Sequence, residues 1–367
     1  MLKQYRLKDY NFRLILFATA LSIIGILLIG SARESVQGKQ LFGLFLGLAL
    51  MVIVSLMDYT WLLNFYWFYY IAGIAMLAIT PLLGTEVNGA TRWIDIGFLR
   101  FQPSDVMKII LIMFFARFFA KYEENINTLK VILFSLVCIL IPALLIEAQP
   151  DLSTTIAILL IFCAIFFVAG LSYKIIGGII LICIPAAVIF LSIVTRPGQT
   201  LLEDYQLTRI LAWLKPTEYA EEAYQQINSI IAIGSGQLYG KGLDNNMVSS
   251  VKNGNFIAEP QTDFIFAVAG EELGFLGCCI IIILELLIAL ECVRIGRKAR
   301  DRSGMLLCCG MAALISFQSF INICVATGLF PNTGLPLPFV SYGLTSLVSL
   351  FIGLGVVLNV GLQVRKY

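Results

Sequence analysis

Ten separate stretches of this chain are each apolar and long enough to cross a lipid bilayer, and that repetition restricts the fold more than any single motif does. A crossing takes about twenty residues, and the stretches fall near 12–30, 40–57, 64–83, 104–120, 130–148, 152–170, 174–195, 263–292, 304–328 and 337–362. With no water in the bilayer core, backbone groups must bond within the helix. The expected architecture is an all-α polytopic membrane protein: a single transmembrane domain over 1–367. Composition agrees, since 59% of residues are hydrophobic and 13% charged, more apolar mass than a soluble domain can bury. The first stretch is longer than a signal-peptide core and has no cleavage pattern, so it reads as a retained span.

Charge placement orients the bundle. With the N-terminus inside, the short inner segments carry Lys3, Arg6, Lys8, Arg13, Arg117, Lys121, Lys130, Lys174, Arg294, Arg297, Lys298, Arg300, Arg302, Arg365 and Lys366, fifteen of twenty-five basic residues. Nine lie on the outer side over a greater length, and Lys108 falls inside a span. The positive-inside rule then puts both termini in the cytoplasm and the long polar loop, 196–262, outside. A net charge of +2 gives no reason to expect a nucleic-acid partner. All nine cysteines lie in apolar stretches and read as small buried hydrophobes, not disulfides or a metal site.

The chain contains no histidine. Imidazole base chemistry is therefore excluded, and carboxylates become the main candidates for proton transfer. Asp263 stands out, in the run Glu259, Pro260, Gln261, Thr262, Asp263, Phe264, where the long loop meets the eighth stretch. An acid at that boundary can take a proton from a substrate that arrives by membrane. In the same loop Leu207, Ile210, Leu211 and Leu214, and again Ile227, Ile230 and Ile231, recur at helical spacing. Two short amphipathic helices are expected, either lying on the outer leaflet or packed on the bundle. The glycine-rich run 234–242 resembles a phosphate loop only superficially, because Ser235 and Gly242 stand where glycine and Ser or Thr are required. It reads as a tight turn.

Other candidates flank the spans. Lys108 lies just inside the fourth stretch after Pro103 and Asp105. It is either a snorkelling lysine paired with Asp105 or a cation that grips a pyrophosphate. Arg92, Trp93 and Asp95 occupy the preceding outer loop, where a Trp is most often an interfacial anchor. Gln149, Pro150 and Asp151 form the tight outer turn between the fifth and sixth stretches. The run 328–343, with prolines at 331, 336 and 338 and with Ser341 and Tyr342 near its end, cannot enter the membrane as a regular helix. Its broken backbone must line a cavity or be shielded by protein.

These blocks together resemble the SEDS family of bacterial elongation, division and sporulation proteins, which includes RodA, FtsW and SpoVE. The resemblance spans nearly the whole chain and rests on GATRWIDIG at 89–97, FQPSDVMK at 101–108, QPDLST at 149–154, INSIIAIGSGQLYGKGL at 227–243, EPQTDFIFAVAGEELGFLG at 259–277 and TGLPLPFVSYG at 333–343. It implies a ten-helix glycosyltransferase of the bacterial cytoplasmic membrane, polymerising lipid II into β-1,4-linked strands on the outer face beside a class B penicillin-binding protein. Asp263 aligns with the family's essential acid. The short tails resemble RodA more than FtsW, which implies a role in elongation; a division or sporulation paralogue is the alternative. The chain departs from many relatives at Gln261, where they have His, at Asp105, where they often have Glu, and at Leu344, where a second Gly is common.

On that reading Asp263 is the general base for a single inverting displacement. Lys108, then Arg209, then Arg92, stabilise the departing pyrophosphate. Trp93, Asp105, Gln149, Asp151, Glu259, Ser341 and Tyr342 complete the substrate-binding candidates. Magnesium or manganese bridging Asp263, Glu259 or Asp151 to pyrophosphate suits oxygen ligands, but no ligand motif demands it. The rival is a lipid II flippase. It would need polar residues at several depths and, in many transporter folds, internal repeats, whereas the motif residues here cluster toward the outer side.

Overall fold

The computed structural model describes residues 10–87, 90–97, 99–178, 181, 185, 192, 204–243 and 256–363. Its helices are α1 (Phe12–Ala32), α2 (Glu34–Ser55), α3 (Tyr59–Asn64), α4 (Tyr66–Leu83), α5 (Pro103–Lys121), α6 (Leu129–Glu147), α7 (Leu152–Val168), α8 (Asp204–Leu214), α9 (Ala220–Ser235), α10 (Ile265–Arg297), α11 (Arg302–Ala326) and α12 (Leu344–Leu362). Among the described residues seven helices are long and apolar enough to cross a membrane. Helix α7 is apolar but shorter, and α5 carries Asp105, Lys108, Arg117 and Lys121. Nine of the ten expected spans thus coincide with helices. In the remaining one, 174–195, the helical residues 174–178, 181, 185 and 192 are described and the others lie outside the described residues. The outer-loop residues 196–203 and 244–255 and the chain ends also lie outside them.

Three boundaries move, each for a local reason. Helix α2 begins at Glu34, six residues before the expected span, because an acid in the first turn suits the helix N-terminus. Helix α10 begins at Ile265, so Asp263 sits in a turn outside the span and not in it. Helix α12 begins only at Leu344, since 337–343 stays irregular, as its prolines dictate.

Capping residues fix several starts. Asp151 caps α7 through a bond from Thr154 N (3.1 Å), and Asp301 caps α11 through one from Gly304 N (2.7 Å). Pro103 opens α5, where a missing N–H costs nothing.

The innermost helices are α11 and α12, buried over about 67% and 72% of their apolar windows, against 22% for the peripheral α4. Helix α12 packs most extensively on α2, and α11 on α10 and α7. Aromatic stacking joins α5 to its neighbours, with Phe114 against Tyr70 (ring centroids 4.5 Å apart) and Phe119 against Phe166 (4.6 Å).

Otherwise all-helical, the fold includes a three-stranded antiparallel sheet, β1 (Thr85–Val87), β2 (Ala90–Ile96) and β3 (Leu99–Phe101). It fills the connection from α4 to α5, with Thr85 opposite Trp93 and Asp95 opposite Arg100. Helices α8 and α9 occupy the long polar loop as its periodicity predicts. Helix α9 packs on the bundle, one of the two arrangements expected of it. Ala223, Gln226, Ser229 and Ala232 are buried on the bundle, Gln226 donating to the Val325 carbonyl and Ser229 to that of Ala326, while Ile227, Ile230 and Ile231 stay exposed.

The glycine-rich turn after α9 has a structural task. Helix α10 breaks at Gly274, whose φ of +67° only glycine adopts without strain. The turn supplies the hydrogen bonds that the break removes: Lys241 N and Gly242 N donate to the Glu271 and Glu272 carbonyls (2.9 and 3.0 Å). Phe275 N donates to the Gln237 carbonyl at 2.8 Å. Lys241 Nζ also pairs with Glu271 at 2.8 Å. The short outer piece 265–273 is therefore fastened to α9 and separated from the membrane-crossing remainder.

Candidate active site

Asp263 occupies the last turn before α10, and its backbone is held from several sides. Asn322 of α11 donates to its carbonyl at 2.8 Å. Ser341 Oγ donates to the preceding carbonyl, that of Thr262 (2.6 Å), and Tyr342 N to that of Gln261 (2.8 Å). Gly334, at φ +75°, lets the broken loop before α12 press against the acid, since a Cβ there would lie 3.3 Å from Asp263 Oδ2. Asp263 as a whole residue is half-buried.

Burial raises the Asp263 pKa from 3.8 to about 6, against the lowering pull of Arg209 and then Arg92, with Asp151 and Glu259 raising it further. Desolvation wins, and leaves an acid poised just below neutral pH, where a base is most useful.

The two arginines come from different elements. Arg209, exposed on α8, donates to the Asn332 carbonyl at 3.4 Å. Arg92 on β2 donates to the carbonyls of Gln149 (3.0 Å) and Pro150 and lies 3.9 Å from Asp151. The sheet thus has a purpose that the sequence reading missed: it carries Arg92 onto the α6–α7 turn. Trp93 neighbours Arg100, whose guanidinium stands 6.0 Å from the ring.

Lys108 is buried in the bundle and forms the pairing with Asp105 that the sequence leads us to expect. It is 4% exposed on its side chain, bonds Asp105 at 2.8 Å, and donates to Gln318 Oε1 at 3.2 Å. The pair is enclosed, so the ammonium group does not reach the surface.

Gln149 donates to the Leu77 carbonyl at 2.8 Å, and both Asp151 oxygens accept from Thr154. Glu259 pairs with Arg33 at 3.2 Å and accepts from Gln261. A cleft of about 490 Å³, lined by Ala32, Arg33 and residues 257–261, opens along this segment. Ser341 also accepts from Leu337 N (2.7 Å), so its hydroxyl braces the broken loop. Among the described residues no three acidic, cysteine or histidine side chains converge on a metal position. Asp151 is committed to its helix and Glu259 to Arg33, so this donor set does not fit a preformed divalent site.

Sequence reasoning did not single out Gln318 and Asn322. Both are 1% exposed and one helical turn apart on α11, an arrangement whose signal was two amides inside an apolar helix.

Comparison with known proteins gives this arrangement a family. The cell cycle protein family of FtsW, RodA and SpoVE matches residues 8–366. The peptidoglycan glycosyltransferase MrdB of Escherichia coli K12 is 33% identical over 351 residues, which cover 95% of this chain and 92% of MrdB. A probable peptidoglycan glycosyltransferase FtsW of E. coli O6:H1 is 34% identical over 80% of this chain and 69% of its own length. A chain from a peptidoglycan synthase complex, solved in a study of coordinated polymerization and crosslinking, superposes with TM-score 0.77 at 26% identity, covering 96% of this chain and 97% of that one. The rod shape determining protein RodA of Thermus thermophilus superposes with TM-score 0.69 at 26% identity over 98% of both. With its nearly full-length match and its shared helical bundle, the chain belongs to the FtsW/RodA/SpoVE family.

Proposed function

We propose that this protein is a peptidoglycan glycosyltransferase that polymerises lipid II on the outer face of the bacterial cytoplasmic membrane. The observation that carries the reading is Asp263: a carboxyl raised by burial to a pKa of about 6, on a fixed backbone, under the pull of Arg209 and Arg92. The relatives' names supply the substrate class, and the positive-inside count supplies the side of the membrane.

The chemistry proposed is a single inverting displacement. The acceptor's sugar hydroxyl donates its proton to Asp263 as its oxygen bonds the donor's anomeric carbon. The bond from that carbon to pyrophosphate breaks with inversion, and the leaving group carries off the electron pair. Arg209 and Arg92, the cations acting on Asp263, compensate the charge that develops on pyrophosphate. Lys108, enclosed with Asp105 and bonded to Gln318, acts on the pyrophosphate site only through the elements it holds in place.

A class B penicillin-binding protein is the proposed partner, because a similar chain works in a peptidoglycan synthase complex. The large match to MrdB and RodA favours elongation over division or sporulation.

The test is polymerisation by purified protein and partner supplied with lipid II. Glycan product that depends on Asp263 supports the reading. Transport of lipid II without polymer would make the protein a flippase, and neither activity would leave a scaffold.

A further inference from the structure

The helix α11 carries an amide ladder that joins the two charged parts of the site. Lys108 donates to Gln318 Oε1 (3.2 Å), and Gln318 Nε2 donates to the Pro336 carbonyl (2.8 Å). One turn along, Asn322 Nδ2 donates both to the Leu335 carbonyl (2.7 Å) and to the Asp263 carbonyl (2.8 Å). Two carbonyls on one side of the amide fix which way it points. Leu335 and Pro336 are adjacent, so the four bonds run from Lys108 through α11 and the broken loop to Asp263. Both amides are 1% exposed, so water does not compete for these bonds. A helix needs neither amide for its own backbone, and apolar residues would pack here at less desolvation cost.

We infer that Asn322 and Gln318 are positioning residues for glycosyl transfer, holding the Asp263 turn and the loop at 335–336 in fixed register with the buried Lys108. This rests on the reading of Asp263 as the base. A carboxylate that must meet a sugar hydroxyl tolerates little displacement, and Asn322 is the α11 group that ties its backbone down. The groups facing the Asp263 carboxyl are Arg209 from α8, Arg92 from β2, Asp151 at the start of α7 and Glu259 from its own segment. Freeing the turn lets the carboxyl move toward water and lowers the pH midpoint of activity.

The experiment compares Asn322→Ser, Gln318→Met and the control Asn359→Ser in the purified full-length protein with its partner, measuring kcat and KM for lipid II from pH 5 to 8. Asn359 is an equally buried amide that bonds the Ser55 carbonyl (2.7 Å) and Tyr59 N (2.8 Å), away from the site. Expected for Asn322→Ser is a fall in kcat of about tenfold or more, with KM little changed and the acid-limb midpoint lowered. Gln318→Met moves both readouts the same way by less, and Asn359→Ser moves neither per folded molecule. Wild-type kcat and midpoint in Asn322→Ser, or an equal fall with unmoved midpoint in Asn322→Ser and Asn359→Ser, overturns the inference. If Asn322→Ser does not fold, Gln318→Met decides by the same criterion. An active Asp263→Asn protein would instead remove the base reading, whatever the α11 variants do.

Discussion

Asp105 and Lys108, three residues apart on α5, form a 2.8 Å ion pair whose side chains are only 7% and 4% exposed. Taking two charges out of water is costly, and a pair so enclosed survives because each partner satisfies the other. Lys108→Met therefore leaves a buried carboxylate alone and should destabilise the protein by about 3–5 kcal/mol. The double variant Asp105→Asn/Lys108→Met should recover most of that loss. Thermal unfolding in detergent measures both, and equal stability of the single variant and wild type would show that the pair is not energetically coupled.

Activity should depend on one ionisation near pH 6. The base works only when deprotonated, so kcat/KM rises as pH increases through about 6 and levels off above it. Stability runs the other way. A carboxyl whose folded pKa is raised favours the folded state most when protonated, so its contribution diminishes as pH rises from about 3.8 to about 6. Asp263→Asn, permanently neutral, should be more stable than wild type at pH 7.5, by about 1–2 kcal/mol after allowing for partial exposure. A pH series of rates and melting temperatures checks both signs.

Arg209 and Arg92 should separate in their effects. Arg209→Gln removes the cation that lowers the Asp263 pKa most, so the activity midpoint should move upward and kcat should fall with little change in folding. Arg92→Gln should do the same and also loosen the α6–α7 turn, because Arg92 holds the Gln149 and Pro150 carbonyls. Melting temperatures beside rate profiles distinguish them.

Gly274→Ala tests the fastening of the outer piece of α10. The new Cβ would strike the backbone of Gly240 and would sit at φ +67°, so a loss of more than about 1 kcal/mol is expected. Protease susceptibility of the 236–242 turn should rise in parallel. Unchanged stability would mean that the turn does not splice the break.

Much of this was legible in the sequence because lipid imposes a simple length rule. Apolar runs marked nine described helices, proline clustering marked the broken stretch at 337–343, and periodicity marked α8 and α9. The sheet was missed although Asn88 and Gly89 separate the paired Val87 and Ala90, a dipeptide that favours tight hairpins. Thr91 and Arg92 are both polar and Trp93 and Ile94 both apolar, so no strict alternation marks β2 in the sequence. Asp263 stood out as an acid at a loop boundary and Arg92 and Arg209 as cations within loops, and the structure brings the field of both arginines onto Asp263. The depth of Lys108 was not legible, because enclosure depends on which helices surround α5, and neither were Gln318 and Asn322, whose meaning comes from backbone carbonyls distant in sequence.

The most direct measurement is polymerisation of lipid II by Asp263→Asn protein, purified with its partner and shown to be folded. Loss of a general base predicts a fall in rate of about 10²–10⁴-fold with partner binding intact. A rate within a few-fold of wild type would contradict the assignment of Asp263 as the base.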